Sequence, residues 1–117
     1  MALAFTVTIL ADHKGITRPK VVGDEYVVDA LVDVTSIVAA GSVIPAVNFG
    51  LSTITCATIT GFDNANGIQP QIECSATGAY ESSTSIALMF TSLDGTNATV
   101  SDDGNGGSVR LRVWGNL

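Results

Sequence analysis

The 117-residue sequence predicts one all-β domain: an antiparallel β-sandwich, jelly-roll or Greek-key-like, with little helix. Three observations predict it. Apolar and polar residues alternate with period two over long stretches, which sends successive side chains to opposite faces of a strand. Runs rich in Thr, Val and Ile are separated by Gly- and Asx-containing turns at roughly 8–12-residue spacing, the rhythm of a sandwich or barrel. No segment carries a helical apolar period.

Taken in order, residues 3–10 point Phe5, Val7 and Ile9 one way and Thr6 and Thr8 the other. Residues 25–35 give the clearest stripe. Tyr26, Val28, Ala30, Val32 and Val34 share one face, and Glu25, Asp29 and Asp33 lie on the opposite one. Ile44 to Leu51, interrupted by Pro45, is the least strand-like stretch and fits one short helical turn or an irregular crossing. Residues 52–60 are rich in Thr and Ile, which favour strands. Residues 68–76 set Ile72, Cys74 and Ala76 against Gln71, Glu73 and Ser75, and residues 84–92 place Ile86, Leu88 and Phe90 together. In the last strand, 108–114, Val109, Leu111 and Val113 point inward and Arg110, Arg112 and Trp114 outward. Asn66-Gly67 and Asp94-Gly95 suit tight turns, and residues 102–107 form a Gly-rich loop. Nothing divides the chain, so residues 1–117 form a single domain. Residues 1–6 are a candidate extended N-terminal arm.

Hydrophobic residues make up 46% of the chain and charged ones only 14%, against about 25% charged in an average globular protein. That balance excludes disorder and implies a surface of Ser, Thr, Asn and Gly. The net charge of −6, with no Lys/Arg cluster, argues against nucleic acid as a partner. No apolar run is long enough for a membrane span. The first residues lack the basic n-region of a secretory signal, so synthesis and assembly in the cytosol are expected. A bridge between Cys56 and Cys74 is geometrically open, but in a reducing compartment two buried thiols are the favoured state.

The residues for catalysis are missing. His13 is the only histidine and sits in the polar turn Asp12-His13-Lys14-Gly15, where a solvated side chain is expected rather than a base aimed at a nucleophile. Glu25, Asp29 and Asp33 recur every fourth residue along one strand, roughly 13 Å apart, too far for a paired-carboxylate site. Residues 63–67 and 102–105 look like fragments of calcium loops but lack the downstream glutamate, and two Cys with one His make a poor zinc set. The loop at 104–107 has no Gly-Lys-Ser/Thr to hold phosphate. Asn97-Ala98-Thr99 matches a glycosylation sequon only by composition. The expectation is a protein that is not an enzyme and takes no cofactor or metal. The group most suggestive of binding is Arg110, Arg112 and Trp114, residue types enriched at interface hot spots. The competing reading makes them the charged face of an edge strand that discourages aggregation, with Trp114 over a sheet end.

Three stretches carry a resemblance. They are Phe5-Thr6-Val7-Thr8-Ile9-Leu10; Val22-Gly23-Asp24-Glu25-Tyr26-Val27-Val28-Asp29-Ala30 with a strand on to Thr35; and Phe49-Gly50-Leu51-Ser52-Thr53-Ile54 with the closing Val109-Arg110-Leu111-Arg112-Val113-Trp114-Gly115-Asn116. In this order of strands, glycine corners and a C-terminal strand ending in Gly, the chain resembles small bacteriophage virion proteins of the capsid decoration (cement) type. It departs from the family pattern in the crossing Ala39–Pro45, which has one glycine and a late proline where members often carry Tyr-Pro and Gly-Gly pairs. The resemblance implies a structural protein on the virion capsid surface, made in the host cytoplasm. Its implied partner is the major capsid protein, and it implies a homo-oligomer, trimer or dimer. It brings no catalytic residues. The interaction residues expected are Phe5 on the arm and Arg110, Arg112 and Trp114 on the last strand. The alternatives are a tail or baseplate component, or a receptor- or glycan-binding module using Trp114, Tyr80 and the 102–107 loop.

Overall fold

The computed structural model describes residues 4–12, 14–23, 25–36, 42–63, 68–73, 83–92 and 107–117. It is an antiparallel β-sandwich of two packed sheets. The strands are β1 (Ala4–Ile9), β2 (Lys20–Val22), β3 (Glu25–Ser36), β4 (Ser42–Pro45), β5 (Thr53–Phe62), β6 (Ile68–Glu73), β7 (Ser85–Ser92) and β8 (Gly107–Asn116). One sheet runs β1-β3-β8-β5, with β2 also on β3; the other runs β4-β7-β6. β3 is long enough to hold β1 along Ala30–Ser36 and β2 along Glu25–Val27 on one side, and β8 on the other.

The period-two stripes become the core. Val28, Ala30, Val32 and Val34 of β3 and Val109, Leu111 and Val113 of β8 face Ile44, Ile86, Leu88 and Phe90 of the second sheet, all at 3% exposure or less. Tyr26, on the same face as Val28 and Val34, and Ile72 are partly buried against this cluster. Pro45, Ala46–Phe49 and Gly50 supply the helical turn expected in this stretch. Pro45 sits at φ −64°, and four residues follow as a 3-10 helix. Gly50 closes it in the left-handed region at φ 76°. Three residues per turn put Ala46 and Phe49 on one side, where both are buried, while Val47 is exposed.

Residues 52–60 hide a change of phase. Ile54 and Ile59 have opposite parity, so no regular strand can turn both inward. A register shift between Ile54 and Cys56 solves this by leaving Thr55 as an additional residue. Ile54 then pairs with Gly115 and Ile59 with Leu111, both on the core side. The same shift turns Cys56 outward next to Trp114, where it is exposed. The expectation of two buried thiols is thus wrong for Cys56; Cys74 lies outside the described residues. A second shift between Ile59 and Gly61 restores the original parity.

Two more expectations change. Ala4–Thr6 do not form a separate arm: they belong to β1 and pair with Ser36, Val34 and Asp33 of β3, because Phe5, Val7 and Ile9 have an apolar face to pack against the core. Residues 1–3 lie outside the described residues. The crossing also contains β4, which pairs with β7 through Ile44↔Ile86 and had no alternating run long enough to announce it.

Candidate functional site

β8 positions the candidate site. Its apolar face is fully buried, and its backbone is hydrogen-bonded to β3 on one side and β5 on the other. It is therefore an interior strand, which removes the edge-strand reading of Arg110, Arg112 and Trp114. These side chains stand in the middle of the sheet's outer face, on a floor held rigid by the core beneath.

The register gives that face in rows. Val27, Trp114 and Cys56 form one row; Asp29, Arg112 and Thr58 the next; Leu31, Arg110 and Gly61 the third; and Asp33 lies opposite Ser108 in the fourth. The first row is uncharged, and each of the other three carries a charged side chain. Val27 and Leu31 hold the odd positions between the acids at 25, 29 and 33, so this face mixes apolar with charged residues along a single strand. Lys20 joins the same face opposite Val27. Three of the chain's five cationic side chains are accordingly gathered on one surface of an acidic protein.

The charges are organised. Arg112 donates a two-pronged pair of hydrogen bonds to Asp29, Nε to Oδ1 at 3.0 Å and Nη2 to Oδ2 at 3.1 Å. The fork geometry of guanidinium and carboxylate makes such a pair both strong and oriented. These hydrogen bonds hold the Asp29 carboxyl below its ordinary range against the opposing effect of burial. Arg110 is exposed, with Nη1 3.4 Å from the Thr60 hydroxyl. At one end of the face the Thr55 hydroxyl donates to the Glu25 carboxylate at 2.5 Å, so the additional residue of the β5 bulge ties down the first residue of β3. Asp33 is exposed. The three acids therefore have three separate environments, and no two share a site.

Next to this face, Asp12 staples the β1–β2 connection. Its Oδ1 accepts the backbone N–H of Lys14 and Ile16, and its Oδ2 meets Lys20 Nζ at 2.6 Å. The bond from Lys20, then those from the backbone, hold its carboxyl well below the usual carboxylate range.

Phe5 is not part of this surface. It lies on the inner side of β1, half-buried against the core. His13, Tyr80, Asn97–Thr99 and residues 102–106 lie outside the described residues. Asp63 is exposed, and its backbone N–H donates to the Ser108 carbonyl. Among the described residues no three His, Cys, Asp or Glu side chains are gathered as a metal site would need, and no helix is long and apolar enough to cross a membrane. No family model, curated protein or solved structure matches the chain.

Proposed function

We propose that the chain is a non-enzymatic virion protein of a bacteriophage, a capsid decoration protein that docks on the major capsid protein through the outer face of its five-stranded sheet. The observation that carries this reading is the position of Arg110, Arg112 and Trp114 on an interior strand, central on that face. Trp and Arg dominate interface hot spots because they bury much surface while keeping a polar handle. Arg112 is already oriented by Asp29, so less side-chain freedom is lost on docking than for an unheld arginine. The step from docking face to capsid rests on the resemblance carried by the three stretches quoted above. A protein that binds the assembled shell and not its free subunits stabilises the shell by mass action, which fits a scaffold with one prepared face.

The test is reconstitution. Purified protein is added to expanded capsids that lack it, and binding is followed by co-sedimentation and capsid melting. Wild-type protein binds and raises the capsid melting temperature. Arg110→Glu/Trp114→Ala, whose changes are confined to the outer face, keeps its own fold and loses the binding. A wild-type chain that neither binds nor raises capsid melting overturns the proposal.

A further inference from the structure

The open sides of the two sheets are not alike. A strand with an unpaired side exposes N–H and C=O groups that template pairing with another chain, so such strands are usually blunted by proline, charge, bulges or short length. β4 is four residues long and ends in Pro45. β6 carries Pro70 in its middle. β5 has two bulges and is bridged to the other layer through Ile54 and Ser83. β2 has three residues, one of them Lys20. β1 has none of these devices: Ala4–Ile9 contains no charge, proline or glycine, and among the described residues it pairs only with β3. Its single irregularity lies between Ala4 and Phe5, which leaves Phe5–Ile9 regular.

The backbone shows which groups are offered. The Leu10 N–H donates to the Asp29 carbonyl, 2.8 Å away. Antiparallel pairing alternates, so the N–H and C=O groups of Thr6 and Thr8 also turn toward β3, and those of Phe5, Val7 and Ile9 turn away from it. The segment Phe5-Thr6-Val7-Thr8-Ile9 is a chemical palindrome about Val7. Read in either direction it is apolar, Thr, Val, Thr, apolar, with the apolar residues on the core side and both threonines exposed on the outer side.

We infer that β1 pairs with β1 of a second copy of this chain, antiparallel and with a two-fold axis at Val7. In that register Val7 lies opposite the second copy's Val7, Phe5 opposite Ile9, and Thr6 opposite Thr8. The residues with outward backbone groups are the ones that become hydrogen-bonded pairs, giving about six bonds across the junction. Each side chain keeps its layer: apolar residues meet apolar residues above the cores, and threonine meets threonine outside. A one-residue slip would bring threonine against apolar residues on both faces. The contact is isologous, so it closes at two copies. It joins two five-stranded sheets into one continuous outer face, and it does not rest on the capsid reading.

The test uses the full chain in sedimentation equilibrium across a concentration series, with far-UV circular dichroism to follow folding. Thr6→Lys/Thr8→Lys sets lysine opposite lysine twice across the two-fold, whereas Thr6→Lys/Thr8→Glu sets lysine opposite glutamate twice. Both positions are exposed on the outer face, where substitutions alter folding stability little. Wild type is expected to be dimeric, the Lys/Lys variant to dimerise at least about tenfold more weakly, and the Lys/Glu variant to dimerise within about threefold of wild type. A monomeric or trimeric wild type overturns the inference. So does a Lys/Lys variant that dimerises like wild type, or a Lys/Glu variant that does not dimerise.

Discussion

Replacing Gly115 with alanine tests the sandwich at its closest backbone approach. β5 crosses over this glycine at the start of its first bulge, and a Cβ added there would lie 1.9 Å from the Thr53 carbonyl oxygen, 2.9 Å from its carbon and 3.1 Å from Ile54 Cα. Since Cβ atoms essentially never come within 3.0 Å of another heavy atom, the strands must separate by about 1 Å, and the obstacle is main chain, not a side chain that can rotate aside. Overpacking costs roughly 1–3 kcal/mol, and more where the backbone must give. Weakening one or two ladder bonds at Thr53↔Asn116 and Ile54↔Gly115 adds about 0.5–1.5 kcal/mol each. The lower entropy of the unfolded alanine chain returns about 0.4–1 kcal/mol. The net loss is about 2–4 kcal/mol, or a fall in Tm of roughly 8–16 °C for a domain of this size. The internal control is Gly61→Ala, on the partner strand and also opposite β8, where an added Cβ meets nothing within 4 Å. Thermal melts followed by circular dichroism should show a large fall for Gly115→Ala and none for Gly61→Ala. Equal melting temperatures for the two variants would refute the reasoning.

Other outcomes follow from the same structure. Gly50→Ala should lose about 1–2 kcal/mol in urea unfolding through its φ of 76° alone, because the space beside it, 3.5 Å from Pro19, is adequate; Gly50→Asn should lose less, since Asn tolerates the left-handed region. Phe90→Ala empties a fully buried site between the sheets and should cost about 3–5 kcal/mol by the same assay. Asp29→Asn should cost only about 0.5–1 kcal/mol at neutral pH, because the pair with Arg112 is partly solvated. The folded-state carboxyl ionises at lower pH than the unfolded one, so the contribution is complete above the ordinary Asp range and is lost as pH falls through the folded value. The stability gap between wild type and Asp29→Asn should therefore close on acidification below about pH 4; a gap that widens there would contradict the pairing.

Much of the fold was legible because its strongest signal is local. The stripes at 26–34, 86–90 and 109–113 each repeat with one parity, and all three line the core. Where the signal changes parity, as between Ile54 and Ile59, only the partner strand says where the additional residue falls, and that position decides that Cys56 faces outward. Strands too short to alternate, such as Lys20–Val22 and Ser42–Pro45, left no period to read. The outward direction of Arg110, Arg112 and Trp114 was legible in the sequence. Their central position was not, because insertion of the last strand between β3 and β5 is a matter of non-local pairing. Phe5 shows the converse: alternation groups it with Val7 and Ile9, and the packing of that face on the core keeps its side chain off the outer face that carries Arg110, Arg112 and Trp114.

The proposal that the chain decorates a capsid is tested most directly by counting it. Quantitative mass spectrometry of purified particles from a phage that encodes the chain should find copies on the order of hundreds per virion, as repeated shell junctions require. A handful of copies, or none, would contradict it.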